Sequence, residues 1–413
     1  MKTIQKLFYL MMILGVIATA TSCSDDDEDD DDNGNGDPTL VEDAEAAWEA
    51  VDGTDTATGA GDLTADWAAG WAVAEDYPGM EVDVALIDEA KEAGRVLTGR
   101  IDSAVVIAED EIWILQGGVH FDAPGSLTIG AGAMIVDERD PESDDPDLAA
   151  QAVGYILIEK GATINAEGTV DKVIVMTSTN KERGAWGGLI INGEAPINVG
   201  DNNGEAEAEI SGSRYGGNTA DDNSGTLRYL RVEFTGNVIT ADKEHNGITF
   251  NGVGSGTTLE YLQSHQGNDD GFEWFGGTVE ANFLVSTGSE DDSFDWTFGW
   301  VGGGSNWIGI QSSDAGDRGI EGDNNVNNNV ATPYSNPTLT NITLVGRSAD
   351  GKAGIKLREG TRGSISNVLI QDFLIGIDVQ HDPTLQNIVD GELTVETYQA
   401  DNVGEVVIFK GDE

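Results

Sequence analysis

Three carboxylates, Glu273, Asp295 and Glu321, occupy the same place in a four-residue segment that recurs through the second half of this 413-residue chain. The segments span residues 247–250, 271–274, 293–296, 319–322, 354–357 and 376–379; each opens with Gly or Ser and carries a polar or charged residue third. If Phe272 and Trp274 point inward, strand alternation sends Glu273 outward, and Thr249, Glu273, Asp295, Glu321, Lys356 and Asp378 share one face. Two carboxylates on neighbouring strands, ~4.8 Å apart, repel by about 3.5 kcal/mol at an effective dielectric of 20. A bound cation would offset that repulsion. Hard oxygen ligands clustered in this way suit Ca²⁺, and the expected ligands are Asp270, Glu273, Asp292, Asp295, Glu321 and Asp323. Two alternatives stand beside the metal: solvated acids at turns, partly neutralised by Lys356, or a catalytic carboxylate set for glycoside hydrolysis or lyase chemistry.

Aromatic residues crowd the same stretch. Phe272, Trp274, Phe294 and Trp296 have inward parity and are expected in a stacked core, whereas Phe275, Phe298, Trp300 and Trp307 fall outside that alternation. Together with Lys356, these four are the expected ligand-binding set, since aromatic faces beside carboxylates and asparagines suit a sugar ring. The four histidines, His120, His245, His265 and His381, share no strand position, and no Gly-His-Gly element is present. No catalytic residue is therefore assigned.

The elements that must carry these residues follow from the spacing. The segment starts lie 24, 22, 26, 35 and 22 residues apart, too far for a hairpin meander and suited to one coil of a parallel β-helix. A second set of apolar strands, at 227–234, 259–262, 279–285, 307–310, 339–345 and 365–370, advances in step with the first. A β-sandwich would tolerate the strand density but not the shared period. The expected class is all-β, a right-handed parallel β-helix over residues 97–413, with a small helical N-terminal region over 39–96. Helices are expected around 40–51, 63–74 and 84–93, and this region is the nearest candidate to cover the strand edges of the first coil. The last strand, 405–409, should close the other end.

The N-terminus supplies an address. Lys2 and Lys6 precede an apolar run from Leu7 to Ala18 and then Ala20-Thr21-Ser22-Cys23, which includes the chain's single cysteine. The run is too short to span ~30 Å of hydrocarbon, so residues 1–22 are expected to be a signal peptide. The segment resembles a bacterial lipoprotein signal, which implies lipidation at Cys23. Residues 23–38, with Asp and Glu from 25 to 32 followed by Asn and Gly, form an expected self-repelling tether. The start of that tether is similar to the export signal of surface lipoproteins in Bacteroidota. With 75 acidic against 21 basic residues, the net charge of −54 argues against nucleic acid and anionic membrane surfaces as partners. One cysteine excludes intrachain disulfides, so stability must come from the core.

The stretches 184–198, 269–279 and 319–324, including Asp269-Asp270-Gly271-Phe272-Glu273-Trp274-Phe275, resemble a group of β-helix lipoproteins from Bacteroidota and related marine bacteria. The resemblance implies a lipid-anchored, surface-exposed protein of the outer membrane. Combined with the residue reading, the expected function is a β-helix module binding an extracellular ligand, a glycan above all, with structural Ca²⁺. The alternatives are a carbohydrate-active enzyme, and a structural or adhesive protein accompanying a TonB-dependent receptor.

Overall fold

The computed structural model describes residues 38–140, 148, 150–240, 243–347 and 352–412. The expected leader, Cys23 and all but the last residue of the tether lie outside the described residues.

The chain winds as a parallel β-helix with three strand columns per coil. The first column runs from Ala104–Ile107 through Ser126–Ile129 and Thr163–Glu167 into the front halves of seven long strands, Gly225–Glu233 to Leu393–Asp401. The back halves of those strands continue Met134–Asp137 and Ile174–Ser178 as the second column. The third column stacks Tyr155–Ile158, Leu189–Asn192, Ile248–Asn251, Phe272–Phe275, Phe294–Thr297, Ile320–Gly322, Ala353–Leu357, Ile375–Gln380 and Glu405–Lys410. Its register pairs Thr249 with Glu273, Glu273 with Asp295, Asp295 with Glu321, Glu321 with Lys356, and Lys356 with Asp378. The repeated segment is thus one strand of each coil, as its spacing predicts.

The recurring Gly or Ser has a steric cause. A Cβ at Gly271 would lie 2.4 Å from Ser286 Oγ and 2.7 Å from the Ser293 carbonyl, so the chain passes too close to its neighbours for a larger residue.

Each long strand breaks between its halves at one left-handed residue: Tyr229, Tyr261, Phe283, Asn306, Asn341, Asn367 and Thr397, with φ between 47° and 62°. This corner stacks coil upon coil. Tyr229, Tyr261 and Phe283 pack face to face at 4.4 Å between successive rings. Asn306, Asn341 and Asn367 continue the column as a ladder of amide hydrogen bonds, 3.3 and 2.8 Å long. Asparagine tolerates this backbone region, while the aromatic residues occupy it against their preference and are held by stacking.

The interior is aromatic. Phe250, Phe272, Trp274, Phe294 and Trp296 are fully buried, and the Trp274 and Trp307 rings lie nearly parallel at 5.2 Å. Trp300 and Trp307, expected on a surface, are wholly inside this core, where their indole N–H groups donate to the Val279 and Ala281 carbonyls. The expectation fails because Trp307 belongs to a different column and takes the inward parity of that strand.

Three helices occur among the described residues: α1 (Pro38–Ala47), α2 (Val84–Glu92) and α3 (Asp382–Val389). Residues 63–74, expected to be helical, form turns instead. The N-terminal region does not sit wholly at the first coil. Helix α1 packs at the last one, where Trp48 meets Phe409 edge-on at 6.0 Å. From there the chain runs back along the outside of the solenoid. Thr54 bridges to Gln399, Thr58 meets Asn367, Trp67 meets Phe283, Trp71 meets Tyr229 and Tyr261, and Tyr77 meets His265. Helix α2 ends this strap by burying Ile87 and Ala90 against Ile112, Ile114 and Val136 near the first coils.

Candidate cation and ligand site

The third column presents its outward residues to a covering layer rather than to water. Glu273, Asp295, Glu321 and Lys356 are no more than 9 % exposed. Over Phe275 and Phe298 the cover comes from a long excursion between Leu189–Asn192 and Gly225–Glu233, which contains a small hairpin of Ala206–Glu207 and Arg214–Tyr215. Ile197, Ala206, Ala208 and Tyr215 from this excursion pack on Phe275 and Phe298, burying two rings that alternation turns away from the core. Asn198 ties the excursion to the asparagine-rich loop by donating to Asn324 Oδ1 at 2.7 Å and accepting from Asn325 at 3.0 Å.

The six expected metal ligands separate into two groups. Asp270, Glu273 and Asp295 converge, each offering an oxygen within 4.8 Å of the others. Neither Asp270 nor Glu273 has an ion-pair contact with a lysine or arginine among the described residues. Burial, then Asp295, Glu209 and Asp269, raise the Glu273 carboxyl well above its usual range against a hydrogen bond from Asn246. Asp270 is raised likewise by burial and by Asp269, Asp291, Asp295 and Asp292. The amide that donates to Glu273 belongs to buried Asn246, whose Oδ1 has no hydrogen-bond partner among the described residues. The three converging carboxylates form a hard-oxygen set of the kind Ca²⁺ takes.

Glu321 and Asp323, expected among the ligands, are committed elsewhere. Arg358 reaches Glu321 at 2.5 Å and Asp323 at 3.0 Å, while Arg318 and Lys356 approach Glu321 at 3.3 and 3.4 Å. Asp292 accepts the Arg318 backbone N–H at 2.7 Å and lies 3.8 Å from its guanidinium. Lys356, expected to meet a ligand, is therefore a buried counter-ion. The column changes character along its length, from clustered acids on the middle coils to an ion-pair network on the later ones. Sequence alternation placed these residues on one face but carried no signal of Arg318, which lies in the turn before its strand.

Beside the carboxylates, a small, partly open cleft is lined by Tyr215, Phe275, Phe298, Glu209, Lys243 and Asn251, with Val199, Ala206 and Ala208 completing its apolar wall. Phe275 and Phe298, expected to bind ligand, are both here. Glu209, Tyr215 and Lys243 escape the repeat pattern because they sit on excursions from it. Asn251 was within reach, since it follows Phe250 in the repeated strand and shares a register position with Phe275.

The pectate-lyase like beta helix domain family matches residues 99–411. No curated protein and no solved structure matches the chain. That match covers the solenoid from its first strands to its last, and with the parallel stacking of the three columns it establishes that the chain belongs to the family of pectate-lyase-like β-helix domains.

Proposed function

We propose that the protein is a lipid-anchored surface lipoprotein whose β-helix binds an extracellular glycan, with Ca²⁺ held as a structural ion by Asp270, Glu273 and Asp295. The convergence of those three buried carboxylates carries the metal. Family membership supports a carbohydrate-related role. Binding is favoured over turnover by the state of the basic residues: Lys356 and Arg358, the candidates for lyase chemistry, are engaged by Glu321 and Asp323. Ion binding would remove the repulsion among the acids and fasten the 266–271 turn, through Asp270, to the two strands that carry Glu273 and Asp295.

The test is thermal unfolding of the protein with Ca²⁺ and after chelation at matched ionic strength. At a hundredfold excess over the dissociation constant, a native-state ion adds about 2.7 kcal/mol. The gain should vanish in Glu273→Gln with Asp295→Asn; an equal gain in that variant, or none in the wild type, refutes the metal. Retention on a polysaccharide panel without product release tests the binding half. The anchor is checked by incorporation of labelled fatty acid, which Cys23→Ala should abolish.

A further inference from the structure

The orientation of the Asn251 amide is fixed by a chain of hydrogen bonds that starts outside the cleft. Burial alone would raise the Glu159 carboxyl, but hydrogen bonds from His120 and Ser213 hold it below its usual range as an acceptor. Asn192 points its NH₂ at this pair, reaching Ser213 Oγ at 2.7 Å and Glu159 Oε2 at 3.4 Å. Its Oδ1 must then face the other way, where it accepts from the Asn251 NH₂ at 2.9 Å. Asn251 in turn is left with Oδ1 as its free end. That oxygen is buried, has no hydrogen-bond partner among the described residues, and belongs to a residue that is only 1 % exposed and lines the cleft. A buried acceptor left unsatisfied is unfavourable by ~1–3 kcal/mol, so the relay holds in place a group that needs a donor.

The remaining walls narrow what the donor belongs to. Phe275 and Phe298 offer ring surface, Val199, Ala206 and Ala208 offer a small apolar recess, and the Lys243 side chain is the cleft's ammonium donor. Glu207 and Glu209 line the same space, and Glu209 lies close enough to Glu273 to raise its carboxyl. An anionic ligand such as a uronate would meet this field unfavourably. An amide N–H for Asn251, a carbonyl for Lys243, a methyl for the alanine recess and a ring for the phenylalanines together describe one chemical group. We propose that the cleft between the Ala206–Glu207/Arg214–Tyr215 hairpin and the third column binds the acetamido group of an N-acetylated amino sugar, with Asn251 accepting its N–H.

This assignment rests on the glycan-binding reading and is tested so that the two can fail separately. Titration calorimetry on the full chain would use four probes: a trimer of N-acetylglucosamine, its deacetylated counterpart, a neutral glucose trimer and a galacturonate trimer. The expected result is binding of the acetylated trimer, at least about tenfold tighter than any other. Asn251→Leu should weaken it about tenfold, and Val199→Trp, in the half-buried apolar wall, should block it in protein that still unfolds cooperatively. Acetylated and deacetylated trimers bound equally well would overturn the acetamido assignment and leave glycan binding standing. Binding that survives both substitutions would place the glycan elsewhere on the solenoid. No heat from any trimer with folded protein would overturn this site.

Discussion

At the scale of single residues, the buried carboxylates set how stability depends on pH and metal. Glu273 has a folded pKa raised above its unfolded value, so without metal its contribution is favourable below the unfolded value near 4.5 and is lost as pH rises. In chelator at pH 8, Glu273→Gln should therefore be more stable than wild type, with the difference shrinking as pH falls toward 4.5. In Ca²⁺ the order should reverse, because the ion requires the ionised ligand. Chemical denaturation at four pH values, with and without metal, decides this; a pH-independent difference in chelator contradicts it. His265 works in the opposite sense. Burial lowers it to about 4, with Thr287 and the Tyr77 carbonyl as its partners. Its folded pKa is depressed, so stability present above pH 6.5 is lost as pH falls toward 4, by roughly 3 kcal/mol. His265→Gln should flatten that acid limb of the stability curve, and an unchanged limb would assign it to other groups.

At the scale of elements, the corner column explains how strands of two sheets join without a loop. One left-handed residue per coil turns the chain, and stacking that residue on its copies makes the corner continuous. Asn341 lies in the middle of the amide part, bonded to Asn306 and Asn367. Asn341→Leu forces a branched side chain into the left-handed region at roughly 1–2 kcal/mol and removes two hydrogen bonds worth ~1 kcal/mol each. A destabilisation of about 2–4 kcal/mol in urea is expected; less than 0.5 kcal/mol would show that the ladder carries no load. The outward side of the third column follows a different logic. There the excursion over 193–224 is needed because Phe275 and Phe298 face away from the core and must be covered.

For the whole molecule, a solenoid has contacts only between neighbouring coils, so its ends should open first. The strap counters this by tying the final coil to earlier ones through contacts separated by more than 300 residues in sequence, such as Thr58 with Asn367. Helix α1 is its anchor on the last strand, with Ala44 and Trp48 part of the main core. A chain beginning at residue 53 should exchange amide hydrogens faster in Ile375–Gln380 and Glu405–Lys410 while Phe272–Phe275 stays protected. Equal protection in both chains would mean that the last coils are stable without their cover.

The repeated strand and its register were legible in the sequence, because alternation and a shared period are local consequences of backbone geometry and recur in every coil; the second recurring set was read as a single column, and the left-handed corner within each of its strands divides it into two. The same alternation placed Glu273, Asp295 and Glu321 on one face. It could not say which of them would share space with a cation and which with arginine, since Arg318 and Arg358 reach them across coils. Trp300 and Trp307 were misplaced for a related reason: parity holds within a strand and is reset at each turn. The excursion over the third column, the cleft beneath it and the strap running back from the last coil were decided only by tertiary structure. Nothing repeats in those segments, and their positions follow from which apolar faces the finished solenoid leaves uncovered.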